Sequence, residues 1–85
     1  MRGGVIAPMP STSASLTLFG ARVRARRTER GLSQEALATA AGLHWTFVGQ
    51  VERGQRNLSL NNILKLASAL DIDPGQLVSG LTPET

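Results

Sequence analysis

From Leu16 onward the apolar residues recur at helical rather than strand spacing. Phe19, Val23 and Arg27 stand four apart and Arg30 three further on, so a first helix starts at Leu16 and stops at Gly31. Ser33 caps a second, alanine-rich helix over residues 34–41, which Gly42 closes by taking left-handed backbone. A third helix fits residues 45–53, with Val48 and Val51 as its apolar edge, His44 at the capping position and Gly54 at its end. Histidine caps poorly, so this start is soft. Ser59 caps a fourth helix in which Leu60, Ile63, Leu64, Ala67 and Leu70 cover one face. Asp73 and Pro74 open a fifth, with Leu77 and Val78 turned inward. Nothing alternates with period two, so the expected fold class is all-α, five short helices over residues 16–82. Residues 1–15 hold two glycines, two prolines and four Ser or Thr without an apolar period, and read as a mobile tail.

The second and third helices carry a recognisable spacing. Gln34, Ala38, Gly42, Val48 and Val51 fall at relative positions 1, 5, 9, 15 and 18 of a helix-turn-helix. A small residue at 38 lets two helices cross closely, glycine at 42 relieves the turn, and the valines bury the third helix. At about 100° per residue, Thr46 and Arg53 then point away from the buried side, and Gly49 and Gln50 lie about 130° from it. Those four residues form an exposed face. Gln50 can pair with two edge atoms of adenine, Thr46 can meet thymine, and Gly49 removes bulk so that the helix sits deep in a major groove. Trp45 lies about 90° from the buried direction. Two readings stay open for it: an indole covering the seam beside the second helix, or one touching a thymine methyl or the sugar-phosphate wall.

Composition narrows the chemistry. Eighty-five residues make one small domain, and 41% hydrophobic residues against 4% aromatic imply an aliphatic core. The absence of cysteine excludes disulfides, a thiolate zinc site and a thiol nucleophile. His44 is the only histidine and the acids are scattered, so no metal or cofactor is implied, and no catalytic triad can be assembled around that single base. Residues 16–56 hold seven arginines against three glutamates, whereas residues 57–85 hold one lysine against three acids. A basic first half suits a polyanion, nucleic acid ahead of membrane. With no long apolar run for a signal peptide or a membrane span, the chain reads as cytoplasmic.

The run from Phe19 to Val78 resembles the Cro/cI (XRE) family of lambda-repressor-like, five-helix DNA-binding domains. The likeness is carried by GLSQ at 31–34, LA at 37–38, AG at 41–42 and VERG at 51–54. RNLSL at 56–60 and the Thr46-Phe47-Val48 step are most similar to the controller proteins of restriction-modification genes, although Trp45 stands where controllers often carry arginine. The resemblance implies a homodimeric transcriptional regulator on a near-palindromic double-stranded operator. It implies base contacts from Trp45, Thr46, Gly49 and Gln50. Backbone contacts are expected from Gln34, at the positive end of the second helix, and from His44, Arg53, Arg56 and Asn57, with Arg22, Arg24 and Arg26 as weaker candidates. It further implies a partly buried ion pair between Arg27 and Glu52, since two desolvated charges need each other. Leu66, Leu77, Val78 and Leu81 exceed what so small a core needs and are expected at a dimer interface. The competing reading is a protein-interaction adaptor or antitoxin on the same fold, presenting Trp45 and Phe47 to a partner.

Overall fold

The computed structural model describes residues 13–83, and the helices follow the capping chemistry closely. They are α1 (Ala14–Glu29), α2 (Gln34–Ala41), α3 (Trp45–Glu52), α4 (Leu60–Leu70) and α5 (Gly75–Val78), with no strand among the described residues. Ser13, Ser33 and Ser59 each accept from a backbone N–H of the first turn they precede, and Asp73 Oδ2 accepts from Gly75 N at 2.8 Å. Residues 1–12, most of the expected tail, lie outside the described residues.

Helix α1 begins two residues earlier than its apolar period suggests. Ser13 serves as its cap, and Ser15 Oγ donates to the Thr82 carbonyl at 2.6 Å, tying the start of the helix to the end of the domain. Phe19 and Val23 face inward, as spaced, beside Gly20. A Cβ on Gly20 would overlap the Val51 and Glu52 carbonyls, so this glycine lets the last turn of α3 lie directly against α1.

The core is aliphatic, built from Val23, Leu37, Val48, Val51, Leu66, Leu70 and Leu77 with small alanines between them. Helix α2 packs on α3 and α4, and α1 spans α3, α4 and α5. Three expectations about the second half need correction. The inward side of α4 is Ile63, Leu66, Ala67 and Leu70, whereas Leu60 and Leu64 are exposed, because α2 and α1 approach on the arc centred between Leu66 and Ala67. Val78 is 39% exposed and turned outward, since only Leu77 of the four-residue α5 reaches the core. Leu66 and Leu77 are fully buried within this one chain, so neither can form a surface for a second copy.

Candidate nucleic-acid interface

The turn between α2 and α3 is set by backbone chemistry. Gly42 adopts φ +70°, its N–H returning to α2, and Leu43 N donates to the Ala38 carbonyl at 2.9 Å. His44 Nδ1 then accepts from Thr46 N at 3.1 Å, so this histidine does cap α3. Val48 and Val51 are buried, Ala38 sits at the crossing, and α3 is held with its opposite side outward.

On that outer side Thr46 and Arg53 are exposed and Gln50 is half-buried. Trp45 is 54% exposed, so about half of its surface is covered and half is open to solvent. Its indole stacks on His44, with ring centroids 6.1 Å apart, and borders a groove shared with Glu35, Thr39 and Leu43 of the α2 side. Gly49 departs from expectation. It is buried, because Gln34 and the Arg53 guanidinium fold over it, and a Cβ there would stand 3.3 Å from Arg53 Nη1 and 3.6 Å from Gln34 Oε1. Its lack of a side chain makes room for these two neighbours. Arg53 Nε also donates to Gln55 Oε1 at 3.3 Å. On the other flank Arg56 Nη1 donates to Gln50 Oε1 at 3.2 Å while its guanidinium lies over the Phe47 ring.

Beneath this face lies a polar cluster. Arg27 Nε and Nη2 grip both oxygens of Glu52, at 2.6 and 3.0 Å, with 12% and 3% of the two side chains exposed. Arg27 Nη1 also donates to the Leu32 carbonyl, and Gln34 Nε2 donates to Glu52 Oε1 at 3.0 Å. The hydrogen bond to Glu52, with its charge attraction, holds the Arg27 guanidinium above the ordinary arginine range against the opposing pull of burial. The amide of Gln34 is thus committed to joining the start of α2 to the end of α3.

The α1 arginines do something else. Arg22 Nη1 donates to the Leu77 and Ser79 carbonyls, and Arg26 donates to the Leu70 and Asp71 carbonyls as well as to Glu29. They close the C-terminal ends of α4 and α5, while Arg24 is exposed. These roles, the Gly20 contact and the Arg56–Gln50 bond were missed in the sequence. Only Gly20, an isolated glycine in a helical pattern, carried a signal for close packing. Val78 and Leu81, from the expected dimer set, border an apolar groove with Leu16, Phe19, Leu58 and Ile63.

The helix-turn-helix family matches residues 23–77, from the middle of α1 into α5. This chain belongs to that family. Among curated relatives, the helix-turn-helix chain is similar to the control protein C.BamHI of Bacillus amyloliquefaciens, 44% identical over 66 residues that cover 76% of this chain and 82% of the relative. Among solved structures it is similar to the restriction-modification controller protein C.AhdI of Aeromonas hydrophila. That match has 62% identity and a TM-score of 0.75, covering 76% of this chain and 98% of that one. It is also similar to the controller C.Esp1396I, solved as a tetramer on its natural 35-base-pair operator, with 28% identity, a TM-score of 0.69, and 72% and 80% of the chains covered. The expected Cro/cI-type fold and the narrower likeness to controllers both find support here.

Proposed function

We propose that this protein is a sequence-specific, DNA-binding transcriptional regulator, acting in the cytoplasm as a homodimer, without enzymatic chemistry, and controlling restriction-modification genes. The observation that carries this reading is the outer side of α3, where Trp45, Thr46, Gln50 and Arg53 stand together on a helix locked from below by Glu52, Arg27 and Gln34. A rigid helix with donors, acceptors and an indole along one side suits the major groove. In this reading Trp45, Thr46 and Gln50 meet base edges. His44, Arg53, Arg56, Asn57 and the α2 N-terminus at Gln34 meet the sugar-phosphate backbone. Gly49 serves the same face indirectly, by seating Arg53. The match to a controller carried on an operator, and the basic first half of the chain, favour a duplex partner. Val78 and Leu81, with the groove beside them, suit a second copy.

The test is selection of bound fragments from a random duplex pool, followed by affinity titrations across salt. Binding should weaken with a slope near −0.9 per phosphate neutralised. Gln50→Ala should flatten preference among sequences, whereas Arg53→Ala should weaken all sequences alike. Affinity indifferent to salt, with no sequence enriched, would refute the proposal. The adaptor or antitoxin reading draws on the exposed Trp45, Leu60 and Leu64. It expects alanine at Thr46 and Gln50 to leave partner binding intact.

A further inference from the structure

Gln50 and Arg56 lie six residues apart, one on α3 and the other in the loop beyond it, yet their side chains meet at 3.2 Å. The same guanidinium sits over Phe47, its central carbon 5.0 Å from the ring centroid, and Phe47 is packed against the core. Arg56 is therefore held at two points, an aromatic face and an amide oxygen. A guanidinium carries donors only, so the Gln50 amide must turn its oxygen toward Arg56 and its NH2 away. This orientation changes what the pair can read. A free glutamine offers one acceptor and one donor, the complement of N6 and N7 of adenine. With its oxygen turned toward Arg56, the outward edge is led by the Gln50 N–H groups and the remaining Arg56 N–H groups. Such a donor-rich edge fits N7 and O6 of guanine, both acceptors, and meets the adenine amino group donor against donor.

We propose that Arg56 is a positioning residue for base recognition, and that Gln50 and Arg56 act as one unit selecting guanine over adenine at one position of each half-site. The inference rests on the DNA-reading function above and deepens it, replacing both the adenine pairing expected of Gln50 alone and the backbone contact assigned above to Arg56. A role in neutralising phosphate requires neither the ring nor the amide, since charge alone suffices. The two contacts instead use the planar fork of arginine, which lysine lacks.

Wild type, Arg56→Lys, Arg56→Ala and Gln50→Ala are titrated by fluorescence anisotropy against duplexes that differ at single base pairs of the selected site, with melting temperatures measured in parallel. Wild type should show one position per half-site at which guanine is favoured over adenine by about tenfold. Both Gln50→Ala and Arg56→Lys should bring that ratio below about threefold at the same position, while Arg56→Lys retains the wild-type salt slope because its charge remains. In the free protein the Gln50 side-chain amide resonances should move on Arg56→Lys substitution. An adenine preference at the Gln50-dependent position in wild type would overturn the inference. So would a guanine preference undiminished in Arg56→Lys, or a loss in Arg56→Ala that is uniform across duplexes; both leave the DNA-reading function standing. Absence of any base preference in wild type would overturn that function, and this inference with it.

Discussion

Removing the Glu52 carboxylate strands the Arg27 guanidinium where only 12% of its side chain meets solvent. Glu52→Ala should therefore lower stability by about 3–5 kcal/mol in urea denaturation. Glu52→Gln, which keeps an acceptor for Arg27, should lower it less. Because the Arg27 pKa is raised, its share of this stabilisation is present below the ordinary arginine range and is lost only as pH rises through the raised value. The pair should thus still operate in mildly alkaline buffer. Two glycines make a second comparison. A methyl at Gly20 meets the Val51 and Glu52 carbonyls, which cannot yield, so Gly20→Ala should cost about 3 kcal/mol or more. At Gly49 the same methyl meets only the ends of two long side chains, and Gly49→Ala should stay within about 1 kcal/mol of wild type in thermal melts. Residue-scale roles were legible where one residue's chemistry demanded a partner, as with Arg27 on an apolar stripe. They were illegible where the answer lay in another element: the helical wheel gives the angle of Gly49 but not that Arg53 and Gln34 fold over it.

Helix ends were the most legible elements, since the Ser33 and Ser59 caps and the Gly42 stop are local chemistry. Ser59→Ala should cost about 1 kcal/mol, with faster amide exchange confined to the first turn of α4. The start of α1 was misplaced because Ser13 looks like one more polar residue of a Ser/Thr-rich segment. Ser15, two residues on, is in addition tied to Thr82, which is distant in sequence and invisible to any local pattern. The inward side of α4 was misjudged for a related reason. Leu60 and Leu64 extend an apolar arc that the wheel cannot divide, and only the positions of α1 and α2 decide which part is covered.

At the scale of the whole molecule, charge and apolar surface are separated along the chain. The basic residues lie mainly in the first half, and the groove bordered by Val78 and Leu81 lies between the start of α1, α4 and α5. Sedimentation at tens of micromolar should report a dimer, and Val78→Asp with Leu81→Asp should give a folded monomer with much weaker operator affinity. Footprints on the operator should fall into two halves about 10 base pairs apart, or a multiple of that. The fold itself was readable from short-range signals, whereas the interface was not, because an excess of leucines does not say which of them the monomer consumes. Helix α5 carries one further consequence. Four residues cannot sustain a helix alone, and this one hangs from Leu77 and the two bonds Arg22 makes to its end. It is therefore the part of the domain expected to open first, and in the proposed dimer it would present Val78 to the second copy. Opening and dissociation then draw on the same free energy, which makes α5 a gauge of protein concentration. Amide exchange at residues 77–79 should slow from low to high micromolar protein, while protection in α2 and α3 stays constant.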